Sequence, residues 1–265
     1  MAAPIGILDS GLGGLSVLRE IRALLPEEPL VYVGDSAWCP YGPRPVEEIR
    51  QRVFAITDFL LSKQARMVVV ACNSATISAV EALRSAYPLP FTGMEPAIKP
   101  AAALTKTGVI GVLATEASRA GEKYHKLVDQ HAAGLRVITR PAPEFVVLVE
   151  RGNLDGPEAR TAVEEHVCPL LEEGADVLVL GCTHYPFLRP LIEEIAGPEV
   201  AVIDTGKAVA RQVQRLLPPT DSSTGPSVKI YTTGDLSTLE RLFPALCPEI
   251  DDATLQFLPS TAQGL

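Results

Sequence analysis

Two apolar runs, each ended abruptly by a cysteine and small polar residues, constrain this chain more than any other feature. One reads Met67-Val-Val-Val-Ala-Cys72-Asn73-Ser74-Ala-Thr76, the other Asp176-Val-Leu-Val-Leu-Gly181-Cys182-Thr183-His184-Tyr185. A short, unbroken, β-branched run of this kind is a strand covered on both faces, the habit of parallel sheets with helices packed on either side. Open α/β sheets place ligands beyond the C-terminal ends of their strands, where both cysteines fall. Two equivalent thiols at two equivalent strand ends point to one site served by two halves, with an acid/base group on each side.

The alternation of strand and helix runs through the chain. Strand-like runs at 5–8, 30–33 and 67–71 are separated by amphipathic stretches at 15–25 and 46–62. The second stretch repeats apolar residues at Val46, Ile49, Val53, Ile56, Phe59 and Leu60, and a further helix is expected over 75–86. This βαβ rhythm predicts a mainly parallel sheet with helices on both faces. The pattern then restarts: 107–114 resembles 3–8, 135–139 corresponds to 30–33, and 177–180 to 68–71. Ile110 follows Ile5 by 105 residues and Cys182 follows Cys72 by 110, a near-constant offset that signals internal duplication. The expected fold class is α/β, with two pseudo-symmetric parallel-sheet domains facing each other across an active-site cleft.

The Pro- and Gly-bearing stretch 87–96 marks the connection between the halves. Beyond Cys182 the pattern predicts a strand at 201–204, a helix over 206–217, a polar loop at 218–226, a strand at 228–232 and a short helix at 236–243. By symmetry this last segment returns to the first domain, with a second crossing near 204–207. The expected domains are therefore 1–95 plus 207–265, and 96–206.

Composition narrows the function classes. The 265 residues are 47% hydrophobic and 21% charged, with a formal net charge of -9 and no long Lys/Arg cluster. An electrostatic surface for nucleic acid is not expected. The N-terminal Met-Ala-Ala-Pro-Ile-Gly-Ile-Leu-Asp-Ser-Gly lacks a basic segment and a long apolar core, and no run is long enough to cross a bilayer. A cytoplasmic protein without membrane attachment is expected. Five cysteines, an odd number, argue against a disulfide framework, and the absence of CxxC removes support for a structural zinc site. Cys168 and Cys247, each followed by proline, read as packing residues.

Five segments could carry chemistry. Asp9-Ser10-Gly11-Leu-Gly13-Gly14 follows the first strand and opens a helix, where small residues admit a ligand to backbone N–H groups. The dinucleotide fingerprint fails because Ser16 stands at its third glycine. Asp9 or Ser10 could equally be a helix cap. In Gly34-Asp35-Ser36-Ala37-Trp38-Cys39-Pro40-Tyr41-Gly42, the Tyr41-Gly42 turn offers backbone donors for a carboxylate. A loop stabilised by Asp35 is the competing reading. Cys72 and Cys182 each begin a strand-to-helix turn, where the helix dipole favours a thiolate. Asn73, Ser74 and Thr183 beside them can hold polar groups of an amino acid, and His184 could orient or deprotonate Cys182. Glu150 ends an apolar run and could support His184 or a thiol, or simply lie on a helix surface beside Arg151. One such cysteine alone reads as structural, but a matched pair suits racemisation. That reaction removes a proton from one face of a carbon and delivers one to the other, which needs two groups that swap acid and base roles. The carbanion beside a carboxylate is unstable, so the site must surround it with preorganised donors and exclude water.

With these residues in view, the chain resembles the glutamate racemases of the aspartate/glutamate racemase superfamily over essentially its whole length. The motifs are Ile7-Leu-Asp9-Ser10-Gly11-Leu-Gly-Gly14, Gly34-Asp35-Ser36-Ala37 with Pro40-Tyr41-Gly42, Ala71-Cys72-Asn73-Ser74-Ala75, Leu148-Val-Glu150, and Gly181-Cys182-Thr183-His184-Tyr185-Pro186. The Pro-Tyr-Gly block separates glutamate racemases from relatives acting on aspartate or hydantoins. The resemblance implies interconversion of L- and D-glutamate without cofactor or metal, supply of D-glutamate for peptidoglycan, and a homodimer. It implies that Cys72 handles the proton of D-glutamate with help from Asp9, and Cys182 that of L-glutamate with help from His184 and Glu150. Substrate would be held by Asp9, Ser10, Tyr41, Gly42, Asn73, Ser74, Thr183 and His184.

The chain departs from the family pattern twice. Ser74 stands where threonine is usual, and Trp38-Cys39 where a basic and an aliphatic residue are usual. Cys39 could therefore lie near the site without a catalytic role. Family members activated by a cell-wall precursor typically carry a long N-terminal extension, so such activation is not expected. Another superfamily activity on a small acid such as aspartate, a small-acid binding protein and a gyrase inhibitor stay open as alternatives.

Overall fold

The computed structural model describes residues 3–219 and 225–259. Its strands are β1 (Ile5–Asp9), β2 (Leu30–Gly34), β3 (Met67–Val70), β4 (Phe91–Thr92), β5 (Val109–Ala114), β6 (Arg136–Pro141), β7 (Val177–Gly181), β8 (Ala201–Ile203), β9 (Val228–Thr232) and β10 (Ala253–Phe257). The helices are α1 (Leu15–Leu24), α2 (Val46–Ser62), α3 (Asn73–Ala86), α4 (Ile98–Leu104), α5 (Glu116–Ala120) and α6 (Glu122–His131). They continue as α7 (Pro143–Arg151), α8 (Pro157–Glu172), α9 (Arg189–Ala196), α10 (Gly206–Leu216) and α11 (Leu236–Leu246).

The unbroken apolar runs become central strands. Every residue of β1, β2, β3 and β7 is buried, as expected where helices cover both faces of a sheet. The strands form two sheets, ordered β10-β9-β2-β1-β3-β4 and β6-β5-β7-β8, and all their pairings are parallel. The inner order β2-β1-β3-β4 repeats as β6-β5-β7-β8, so the duplication appears in the topology. The chain divides into two compact units, Met1–Met94 with Gly206–Leu265, and Glu95–Thr205. β9 and β10 extend the first sheet beside β2.

Helix α2 shows why these segments are helical. Its Ile49, Val53, Ile56 and Leu60 recur at three- and four-residue spacing and are buried, while Glu47 and Glu48 in the first turn complement the helix dipole. The elements placed from the sequence pattern differ from it mainly at their ends, whereas β4, β10 and the helices α4, α5, α6, α8 and α9 were not placed by it. β3 stops at Val70, and α3 begins at Asn73 rather than at 75 because Cys72 itself caps it. α11 runs through Pro244 to Leu246 rather than stopping at 243. Leu242, Phe243 and Leu246 are buried there, and that packing outweighs the hydrogen bond the proline lacks. Of the loop expected at 218–226, residues 220–224 lie outside the described residues. Among the described residues, no helix is long and apolar enough to cross a membrane.

Candidate active site

In the first unit, β1 and β3 are parallel neighbours in register, Leu8 opposite Val70. Their C-terminal continuations therefore emerge side by side, tied by Ala71 N donating to Leu8 O at 2.8 Å. This brings Asp9, Ser10 and Cys72 together. The Cys72 sulfur lies 3.8 Å from Ser10 Oγ and accepts from Ala75 N at 3.4 Å. It is thus the N-cap of α3, where aligned peptide dipoles favour negative charge on sulfur. Asp9 is fully buried, and its Oδ1 accepts from Gly11 N at 2.8 Å rather than capping α1. Tyr32 OH donates to Gly11 O at 2.6 Å from the neighbouring strand.

Close backbone approach explains two glycines of this corner. A Cβ on Gly14 would sit 2.6 Å from Asp9 Cβ, and one on Gly34 would sit 2.5 Å from Gly11 O. Asn73 and Ser74 are buried in the first turn of α3. The Asn73 Oδ1 is buried with no hydrogen-bond partner among the described residues, an acceptor ready for a ligand donor.

The Tyr41 side chain also points into this unit's core. It is buried, and its OH donates to Asp35 Oδ2 at 2.6 Å. Burial, and then the Asp35 charge, hold its pKa well above the usual tyrosine value. Gly42 follows in the half-buried turn.

In the second unit, Cys182 follows the last residue of β7, and Thr183 beside it is buried. Cys182 Sγ lies 3.8 Å from His184 Nδ1, and His184 Nε2 lies 2.7 Å from Glu150 Oε1 in the last turn of α7. An ionised carboxylate only accepts hydrogen bonds, so Nε2 carries a hydrogen and Nδ1 can turn its lone pair toward sulfur. Tyr185 OH reaches the carbonyls of Ala114 and Ala142, each at 2.9 Å, which pins the turn to β5 and to the residue before α7. Burial, and then Cys182, raise the Tyr185 pKa well above its usual value.

One expectation fails here. Cys182 does not sit at the N-terminus of an α-helix: the chain first makes a short 3₁₀ turn over Tyr185–Leu188, and α9 begins only at Arg189. Pro186 and Pro190 explain this. Each lacks an amide donor, and Pro190 would clash with the carbonyl four residues earlier in a continuous helix. The strand-end equivalence of the thiols therefore holds while their helix dipoles differ, and Cys182 has the His184–Glu150 pair at the corresponding place.

Residues 5–213 match the Asp/Glu/Hydantoin racemase family. The chain belongs to that family. It is 49% identical over 251 residues to a glutamate racemase of Ectopseudomonas mendocina, covering 93% of this chain and 95% of the relative. A glutamate racemase of Herpetosiphon aurantiacus is 52% identical over 237 residues, covering 88% and 93%. Among solved structures, the Escherichia coli glutamate racemase in complex with L-glutamate and the activator UDP-MurNAc-ala matches with a TM-score of 0.87 and 31% identity. That match covers 97% of this chain and 98% of the other. A glutamate racemase isoform from Bacillus anthracis matches with a TM-score of 0.84 and 33% identity, over 97% and 98%.

This member of the Asp/Glu/Hydantoin racemase family also gathers around Asp35 residues that the sequence did not single out. Arg52 Nε and Nη2 donate to Asp35 at 2.9 and 2.7 Å, and Thr233 Oγ1 donates to Asp35 Oδ1 at 2.7 Å. Arg52 carried a readable signal, since a cation stands on the apolar stripe of α2 between Ile49 and Ile56. Thr233 and Tyr32 carried none, because their partners are 198 and 21 residues away in sequence.

Proposed function

We propose that the protein interconverts L- and D-glutamate by a two-thiol proton transfer. One cysteine, as thiolate, removes the hydrogen on the α-carbon. The other, as thiol, delivers its proton to the opposite face, and the two exchange roles in the reverse direction. Cys72 acts on D-glutamate with Asp9 beside it, and Cys182 acts on L-glutamate with His184 and Glu150. One sulfur keeps the proton it removes while the other gives up its own, so the step balances with the two thiols alone, and the reading invokes neither cofactor nor metal. Asp9, Ser10, Asn73 and Ser74 in one unit, and Thr183 and His184 in the other, hold the amino acid. The turn at Tyr41-Gly42 contributes backbone donors.

The observation that carries this reading is the equivalence of the thiols. Each follows the strand that pairs with the first strand of its repeat, β3 beside β1 and β7 beside β5, and each has its own polar partner: Ser10 in one unit, the His184–Glu150 pair in the other. The close likeness to glutamate racemases supports the substrate. Supply of D-glutamate for peptidoglycan in the cytoplasm is the corresponding cellular role, and the odd number of cysteines, five, fits a reducing compartment. Following the resemblance, we take the working assembly to be a homodimer, which sedimentation velocity checks directly.

The test is incubation with L-glutamate in deuterated water, without pyridoxal phosphate and with chelator. D-glutamate deuterated at Cα is expected. Cys72→Ala and Cys182→Ala should each lower interconversion by at least about 10²–10⁴-fold, the usual scale of a lost acid/base group. Full activity in either variant excludes the two-thiol reaction, and turnover of aspartate but not glutamate moves the protein to another branch of its family.

A further inference from the structure

A buried ion pair in the first unit, Asp35 with Arg52, is not used by the proposed chemistry. Asp35 is fully buried and both its oxygens are saturated: Oδ1 by Arg52 Nη2 and Thr233 Oγ1 at 2.7 Å each, Oδ2 by Arg52 Nε at 2.9 Å and Tyr41 OH at 2.6 Å. Replacing such a pair by well-packed hydrophobic residues is often neutral or stabilising. Stability alone is therefore a weak reason for a guanidinium on the apolar stripe of α2. What the assembly does fix is the path of the chain. Trp38 carries the Arg52 and Arg44 guanidinium groups against its ring at 4.9 and 4.8 Å. Arg44 Nε donates to Trp38 O at 2.6 Å. The segment from Trp38 to Arg44 is thus clamped at its two ends and, through Tyr41, in its middle. Tyr41 and Cys72 share one core cluster, with Trp38 packed against it, so the clamp sets where the turn lies relative to the sulfur. The Tyr41 hydroxyl is committed to Asp35, which leaves the backbone of Tyr41-Gly42 to meet the ligand.

We propose that Asp35 and Arg52 are positioning residues that hold the Pro40-Tyr41-Gly42 turn in its glutamate-binding shape through the Tyr41 hydroxyl. This inference rests on the reading of the protein as a glutamate racemase. Breaking the tether disorders the turn before substrate arrives, so ordering it again is charged to binding rather than to proton transfer.

The test uses Tyr41→Phe, which deletes one hydroxyl and keeps the ring, and Arg52→Lys, which keeps the charge but loses the fork and the stacking. Ile56→Val, which trims the core face of the same helix one turn beyond Arg52 without touching the ion pair's own groups, controls for general loosening. Tyr41→Phe should raise KM about tenfold with kcat within about twofold, the effect of one charge-assisted hydrogen bond. Arg52→Lys should raise KM further. Trp38 is the single tryptophan, so its fluorescence reports the clamp: both variants should shift emission to the red and raise quenching by acrylamide, and Ile56→Val should do neither. Unchanged KM in Tyr41→Phe, or a rise matched by Ile56→Val, overturns the inference. If Arg52→Lys does not fold, Tyr41→Phe decides alone. A wild-type protein that leaves glutamate unracemised defeats the functional reading instead, and that result is seen before any variant is made.

Discussion

Glu150 reads in sequence as the last residue of an apolar run, equally suited to a site or to a surface beside Arg151. The folded chain puts it 2.7 Å from His184 Nε2, and a residue-scale prediction follows. Glu150→Gln and His184→Asn should each lower kcat by about 10²-fold. The double variant should lose little more, because the two act as a unit and their effects are not additive. Steady-state kinetics in both directions check this, and additive losses would mean that the residues act separately. Asp9, Ser10, Cys72, Cys182 and His184 were legible because short local motifs carry them to strand ends. The Asp35 cluster was legible at Asp35, as a loop anchor, and at Tyr41 in the same loop. Arg52 comes from α2 and Thr233 from just beyond the end of β9, and no local pattern joins residues so far apart.

At the scale of elements, hydrophobic period placed most strands and the helices of the first unit, because buried parallel strands are apolar without interruption and α2 repeats on a helical period; the helices α4, α5, α6, α8 and α9 of the second unit were not placed. Ends were less legible because they depend on capping. A cysteine sulfur caps α3, which no ordinary preference for Ser, Thr, Asp or Asn announces. After Cys182, two prolines delay the helix. The corner where β2 meets the Asp9 loop gives a sharp test. Gly34→Ala would press a methyl group to 2.5 Å from Gly11 O, a backbone atom held by Tyr32. Overpacking of this kind costs about 1–3 kcal/mol, so the urea midpoint should fall and activity should fall with it as the Asp9 loop is displaced. A variant of wild-type stability and rate would show that the loop yields freely.

For the whole molecule, buried weak acids predict the response to alkali. Burial pushes the Cys247 thiol up to about 12 from an ordinary 9.0, and burial holds Tyr41 and Tyr185 well above 10.0. The native state keeps these protons while the unfolded chain releases them, so the unfolded state binds fewer protons as pH rises. Their contribution to stability is complete below about pH 9 and is lost from there toward pH 12, at up to about 1.4 kcal/mol per pH unit for each group. Thermal melts from pH 8 to 11 should show a falling midpoint, and Cys247→Ala should flatten its first part, between about pH 9 and 10. A midpoint independent of pH over this range contradicts the assignment.

The two sheets also differ in when their partners are synthesised. β6, β5, β7 and β8 are contiguous in the chain, whereas the long edge of β2 meets β9 only after residue 227 has left the ribosome. Until then an apolar strand offers a row of unpaired amides to any neighbouring chain. The second unit, Glu95–Thr205, can therefore fold before the first is complete, and a truncation that removes β9 and β10 exposes an edge that invites aggregation.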